Sequence, residues 1–185
     1  GPIFLETMRQ LYIMEPSCKF IVPCANAARR KQLEQQLAQF DMQLPLQLVD
    51  GHAREVMAGS DAVLVTSGTA TLEAMLLKRP MVVAFRWGAI THAIISRMVK
   101  TKFISLPNLL AGKELVPEFL QDEARPEKLA RTLFDLLRNA DNRERLQREF
   151  NELHTLLNRN ASEEAAKAIL ALATSSAVSE SQPAN

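Results

Sequence analysis

Asp61-Ala-Val-Leu-Val-Thr66-Ser67-Gly68-Thr69-Ala70-Thr71-Leu72-Glu73-Ala74-Met75 reads as a short buried strand, a turn of small residues and the start of a helix. In an open α/β sheet the crevice beyond the carboxyl ends of the strands is where ligands sit. A helix N-terminus there presents unpaired backbone N–H groups and the positive end of a dipole to an anion. Gly68 lets the backbone approach a ligand closely, and Ser67 and Thr69 add hydroxyls and potential N-caps. Glu73 is harder to explain by helix chemistry. With Thr69 as cap it falls one position beyond the glutamate of a capping box. It is also the only acid between Asp61 and Glu114, an interval with seven bases: Lys78, Arg79, Arg86, Arg97, Lys100, Lys102 and Lys113. A lone carboxylate beside an anion-ready turn suits a ligand with both phosphate and hydroxyl groups, as in a nucleotide. The competing reading is a solvated glutamate on a surface helix.

Outward from this stretch, strands and helices alternate. Toward the N-terminus, Phe4 to Glu15 carries Leu5, Met8, Leu11 and Tyr12 at helical spacing and stops before Pro16. Lys19 to Pro23 is a β-rich run, Ala27 to Phe40 a helix with a stripe of Leu33, Leu37 and Phe40, and Leu46 to Val49 a strand. A brief helix, Ala53 to Ala58, leads into the opening strand. Downstream, the central helix reaches about Lys78 and stops at Arg79-Pro80. Met81 to Ala84 is an apolar strand, Ala89 to Lys100 a helix, and Lys102 to Ser105 resembles a last strand. This alternation predicts βαβ units. The expected fold is α/β: a Rossmann-like, doubly wound, mainly parallel sheet covered on both faces, followed by C-terminal helices.

Leu106 to Glu114 is punctuated by Pro107 and Gly112 and reads as an irregular loop whose leucines cover a surface. Beyond Pro117 the pattern is helical in pieces, at 118–121, 126–138, 141–158 and 162–173; residues 174–185 are Ser, Ala and Pro rich and read as disordered. The domain layout expected is 1–117 for the ligand-binding domain, 118–173 for the helices and 174–185 for the tail. The late helices, with Leu129, Leu133, Leu136, Leu137, Leu146, Leu153 and Leu156, suit an oligomer interface as well as a core.

Composition adds bounds. A chain of 185 residues with 47% hydrophobic residues supports a sizeable core, and a net charge of +1 gives no reason to invoke nucleic acid. Cys18 and Cys24 suggest neither a disulfide framework nor a metal site, and a reducing cytoplasm is the default. No apolar run approaches the roughly 20 residues needed to span a bilayer, and no signal peptide is visible. The sequence opens on Gly1-Pro2 with no initiator methionine, which reads as a protease scar or as part of a longer protein. The stripe Trp87, Ile90, Ile94, Ile95, Met98 and Val99 with nearby Arg97, Lys100 and Lys102 is read as a crossover helix packed on the sheet, with a membrane-surface helix as the alternative.

Three strand ends are expected on one rim: Asp50-Gly51-His52, Thr66 to Thr69, and Phe85-Arg86-Trp87. Neither a dinucleotide glycine fingerprint nor a Walker phosphate loop is present, which argues against a nicotinamide dehydrogenase and a Walker-type ATPase. Phosphates would lie on Ser67-Gly68-Thr69 with Arg86 or Lys113 as charge partners, and Glu73 would accept from a ribose diol. Of the three histidines only His52 lies at the rim, and none shows metal-ligand spacing. No nucleophile–base pair is legible.

Val65-Thr-Ser-Gly-Thr-Ala-Thr-Leu-Glu-Ala-Met75, Arg79-Pro-Met-Val-Val83, Phe85-Arg86 and above all Ile104-Ser-Leu-Pro-Asn-Leu-Leu-Ala-Gly-Lys-Glu-Leu-Val-Pro117 closely resemble the lipid-A-disaccharide synthases, over nearly the whole chain up to about Ala173. The family is a glycosyltransferase of the two-Rossmann-domain (GT-B) type. It moves 2,3-diacylglucosamine from UDP to 2,3-diacylglucosamine 1-phosphate (lipid X), giving lipid A disaccharide 1-phosphate and UDP. The resemblance implies a C-terminal, donor-binding part. Ser67, Gly68 and Thr69 match the diphosphate turn, Glu73 the acid at the ribose, and Asn108 a functional asparagine near the donor. Phe85 and Lys113 stand where the family commonly has tyrosine and arginine, which weakens a phosphate-clamp role for Lys113.

The resemblance further implies no cofactor, a catalytic base on an N-terminal domain outside this sequence, a possible homodimer, and peripheral contact with the cytoplasmic face of the inner membrane of a Gram-negative bacterium. Alone, the chain is expected to bind UDP weakly and to lack transferase activity. Two other readings remain: an epimerase-like or other UDP-sugar domain, which the Asn108 loop disfavours, and a non-catalytic nucleotide-binding or dimerisation module.

Overall fold

The computed structural model describes residues 1–66, 68–86 and 102–158. Ser67, Trp87, the basic amphipathic helix expected at 89–100, the helix expected at 162–173 and the tail lie outside the described residues. The chain begins with α1 (Pro2–Met14), β1 (Phe20–Cys24), α2 (Ala27–Ala38), β2 (Leu46–Asp50) and α3 (Ala53–Gly59). The opening stretch forms β3 (Val63–Val65) and α4 (Thr69–Leu76), followed by β4 (Met81–Phe85). Then come α5 (Leu106–Ala111), β5 (Glu118–Leu120), a single 3-10 turn (Gln121–Glu123), α6 (Pro126–Arg138) and α7 (Ala140–Leu157).

All described strand pairs are parallel, as the βαβ pattern requires, but they form two ladders. One pairs β1 with β2; the other has the order β3-β4-β5. Proline chemistry fits the open edge of β1. Phe20 N–H donates to the Pro45 carbonyl and the Cys24 carbonyl accepts from Gly51 N–H, so alternate residues from Phe20 to Cys24 face β2. The N–H that Pro23 lacks therefore falls on the opposite edge, where no ladder forms among the described residues.

β4 is the centre of the larger sheet. Met81, Val82, Val83 and Ala84 are all buried, the continuous apolar run expected of a parallel strand covered on both faces. Helix α6 sends Leu129, Ala130, Leu133 and Leu136 into the same core and packs against both β4 and α1. Each buried leucine contributes about 1.5–3 kcal/mol relative to exposure. At the far end of α1, Glu15 pairs with Arg138 of α6. Helix α2 is an outer layer, with none of its residues buried, capped by Asn26 Oδ1 accepting from Arg29 N–H at 3.0 Å.

Four local expectations are corrected. Lys102 to Ser105 is not a strand, and Leu106 to Ala111 is a short helix rather than an irregular loop. In that helix Pro107 and Asn108 are buried, whereas Leu109 and Leu110 stay exposed. Glu118 to Leu120, read as a helical piece, is instead strand β5, paired with Val83 to Phe85, so the sheet extends past residue 117. The available hydrogen-bonding edge of β4 decides this last case, not the local periodicity. Helix α4 ends two residues earlier than expected. Arg79 N–H bonds the Ala74 carbonyl and Lys78 N–H the Met75 carbonyl, a Schellman closure with Lys78 at φ 61° in the place glycine usually takes. Lys78 Nζ reaches the Phe150 carbonyl at 3.3 Å and His154 Nδ1 at 2.8 Å, and partial burial pushes its pKa down.

Candidate functional site

The parallel register brings three chain segments to one rim. Val65 stands opposite Val83, and Phe85 opposite Leu120, so the turn after β3, Arg86 after β4 and Gln121 after β5 follow the strands on the same edge. Gly68 is the N-cap of α4, and no side chain caps that end among the described residues. Its φ of 76° and ψ of −149° lie in a region open essentially to glycine alone. A Cβ built there would meet nothing within 4 Å. The requirement for glycine is therefore conformational, and the space beside it is open. Gly68 and Thr69 are both exposed at the rim, at the end of α4 where the first N–H groups have no i−4 carbonyl.

Glu73 is exposed, and its carboxylate has no hydrogen-bond or ion-pair partner among the described residues. With Gly68 as cap it lies two positions beyond a capping-box glutamate, which further separates it from capping. Arg86 is exposed at the rim, its Nε donating to the Gln121 carbonyl at 2.8 Å. That bond fixes the root of the guanidinium to the end of β5. Gln121 itself has φ 51°, an uncommon backbone state for a non-glycine residue.

The other predicted residues are placed differently. Lys113 Nζ donates to Glu149 Oε1 of α7 at 2.8 Å and is thus engaged in an ion pair. His52 is largely exposed at the N-cap of α3, 3.8 Å from the Glu55 carboxylate, and follows β2 of the separate two-stranded ladder. It shares no sheet with the turn. Asn108 is fully buried. Its Oδ1 accepts from Leu115 N–H (2.7 Å) and Val116 N–H (2.9 Å), while Nδ2 donates to the Val116 carbonyl (2.8 Å) and Glu118 Oε1 (2.7 Å). Both donors and both acceptor positions of the amide are used. Any influence of Asn108 on a ligand passes through the segment it holds.

Sequence reasoning did not single out the groups that join this segment to the turn. Glu118 receives Ile104 N–H on Oε2 and Ser105 N–H, Ser105 Oγ and Asn108 Nδ2 on Oε1. Thr71, wholly buried, donates its hydroxyl to the Gly68 carbonyl at 2.8 Å and accepts Leu106 N–H at 3.2 Å. The available signals were one acid in the apolar run Leu115 to Leu120 and a hydroxyl three residues after Gly68.

The family model for lipid-A-disaccharide synthetase matches residues 1–169. The chain belongs to this family. Its similar relatives include the lipid-A-disaccharide synthase of Pseudomonas putida (strain W619), 53% identical over 172 residues that make up 93% of this chain and 44% of the relative. The synthase of Hahella chejuensis (strain KCTC 2396) is 49% identical over 172 residues, 93% of this chain and 43% of the relative. That of Pseudomonas aeruginosa (strain LESB58) is 51% identical with the same share of this chain and 44% of its own length. The chain thus spans less than half the length of the lipid-A-disaccharide synthases it matches. Among the described residues no helix is long and apolar enough to cross a membrane.

Proposed function

We propose that this chain is the UDP-sugar donor part of a glycosyltransferase that moves 2,3-diacylglucosamine from UDP to 2,3-diacylglucosamine 1-phosphate, forming lipid A disaccharide 1-phosphate and releasing UDP. The observation that carries the reading is Gly68, held in a glycine-only conformation at the N-terminus of α4, which no side chain caps among the described residues, on the carboxyl rim of a parallel sheet, in a chain of this family. The uncapped N–H groups and the dipole of α4 suit a diphosphate. Ser67 and Thr69 add hydroxyls, Arg86 a cation at the same rim, and unpartnered Glu73 an acceptor for a ribose diol.

The leaving group of an inverting transfer is a diphosphate, and charge builds on it as the glycosidic bond breaks. Preorganised N–H donors and a guanidinium stabilise that charge more in the transition state than in the bound donor. The acceptor hydroxyl needs a general base on the opposite face of the sugar. In this proposal the base belongs to the part of the enzyme beyond this chain, so the 185-residue chain binds UDP weakly and turns nothing over. Dimer formation and contact with the cytoplasmic face of the inner membrane belong to the same proposal, as does assistance from His52 or Lys113, each of which first has to turn toward the rim.

The test is a UDP titration of the wild-type chain and of Glu73→Ala by ligand-observed NMR. Loss of hydrogen bonds from a diol to a carboxylate weakens binding by roughly tenfold or more. Equal affinities for the two proteins would remove Glu73 from the site, and turnover by the isolated chain would contradict the division of labour.

A further inference from the structure

Thr71 of α4 and Leu106 of α5 lie 35 residues apart in sequence, yet the buried Thr71 hydroxyl touches both the turn after β3 and α5. Thr71 Oγ1 donates to the Gly68 carbonyl and accepts the Leu106 N–H. Its neighbours extend the connection. The three successive N–H groups of Ile104, Ser105 and Leu106 are taken up by Glu118 Oε2, Glu118 Oε1 and Thr71 Oγ1 respectively. Ser105 is the N-cap of α5 and makes no side-chain cap of its own; its hydroxyl goes to Glu118 at 2.6 Å. Side chains from α4 and β5 therefore take up the N–H groups of Ser105 and Leu106 at the start of α5. Glu118 also holds Asn108, which in turn fixes Leu115 and Val116.

We propose that Thr71 is a positioning residue of the donor turn, coupling Gly68 to α5 so that the turn and the Ser105–Glu118–Asn108 network move as one unit. The inference rests on the donor-site reading only for its use, not for the coupling itself. A valine at position 71 has nearly the same shape but neither donates to Gly68 nor accepts from Leu106. The Leu106 N–H loses its partner, the Gly68 carbonyl keeps only the backbone N–H of residue 71, and the turn is freer to shift against α5. Serine keeps the hydroxyl and so keeps the coupling. Buried hydrogen-bonded networks of this kind specify one arrangement when every member is satisfied and fail as a group when one is removed.

The experiment compares wild type, Thr71→Val and Thr71→Ser in two measurements on the 185-residue chain. In the first, amide hydrogen exchange without ligand is followed at Gly68 to Thr71 and at Ile104 to Leu106, with Val82 and Val83 of β4 reporting global opening. Thr71→Val should speed exchange in both segments beyond the change in β4, and Thr71→Ser should restore wild-type rates. Faster exchange at Leu106 alone, with the turn unchanged, would overturn the coupling. In the second, UDP is titrated, and Thr71→Val should bind about tenfold more weakly, with Thr71→Ser near wild type. Wild-type binding retained in a folded Thr71→Val protein would overturn the positioning role. Absence of UDP binding by wild type would instead count against the donor reading, and the exchange measurement would still decide the coupling.

Discussion

Replacing Asn108 tests how the segment from Ile104 to Leu120 is held. Asparagine at 108 is fully buried and makes four hydrogen bonds, three of them to the backbone of Leu115 and Val116, which are themselves 4% and 0% exposed. In Asn108→Ala, two N–H groups and one carbonyl lose their partners in a place with little access to water. Each orphaned buried group costs about 1–3 kcal/mol. Partial relaxation and an entering water recover some of it, so a loss of roughly 3–5 kcal/mol is expected, a large share of the 5–15 kcal/mol typical of a domain.

Asn108→Asp separates shape from hydrogen-bond sense. It retains the two bonds accepted by Oδ1 but turns a carboxylate oxygen toward the Val116 carbonyl and the Glu118 carboxylate, the latter 2.7 Å from the present Nδ2. Two carboxylates at that separation cannot both stay ionised without large cost, so the pair holds a proton at a raised pKa. The folded state then binds that proton more tightly than the unfolded chain. Asn108→Asp is accordingly least stable, relative to wild type, near neutral pH and recovers as the pH falls toward 5. Urea unfolding followed by far-UV circular dichroism at several pH values reads both effects. An Asn108→Ala protein within about 1 kcal/mol of wild type, or an Asn108→Asp deficit that does not change with pH, would refute the reasoning.

Gly68→Ala should cost about 1–3 kcal/mol from backbone strain alone, because φ 76° with ψ −149° excludes a Cβ while the surrounding space does not. It should also weaken UDP binding, and an alanine variant with unchanged stability and affinity would show that the turn relaxes freely. Glu15 gives a pH test: the Ser17 hydroxyl, and then Arg138, hold its carboxyl below the usual carboxylate range. The folded state binds that proton more weakly than the unfolded chain, so the contribution is present above the ordinary carboxylate pKa and is lost as the pH falls through the depressed value. Glu15→Gln should lower stability at neutral pH and flatten the acid limb of the stability curve; an acid limb identical to wild type would exclude Glu15 as a contributor.

The larger strands were legible because Met81 to Ala84 is an uninterrupted apolar run bounded by Pro80 and a polar rim, and the strand–turn–helix of 61–75 because Gly68 sits between a strand pattern and a helical one. Strand β5 was not. Glu118-Phe119-Leu120 is three residues long, and only pairing with Val83 to Phe85 makes it a strand. The split into two ladders was equally hidden, since alternating βα units predict parallel neighbours but not which edge stays open. At the candidate site, Gly68, Thr69, Glu73 and Arg86 were readable from local chemistry and do share the rim or the helix that leaves it. Asn108 was read as a ligand contact, but its amide is consumed by residues seven to ten positions downstream, brought back by the turn at Gly112 with φ 65°. Thr71 and Glu118 were missed for the same reason: their partners are distant in sequence, and a buried hydroxyl looks like any other threonine on a helix.

The central claim is that a nucleoside diphosphate sits on the N-terminus of α4. The most direct measurement is an NMR titration of the isotopically labelled chain with UDP, following backbone amides throughout. Gly68, Thr69 and Ala70 are expected to shift first and most, with smaller changes at Arg86 and at Ile104 to Leu106 through Thr71. Shifts centred instead on the hollow between α6 and α7, bordered by Thr132, Asn139 and Arg145, or on His52, with the α4 N-terminus silent, would contradict it.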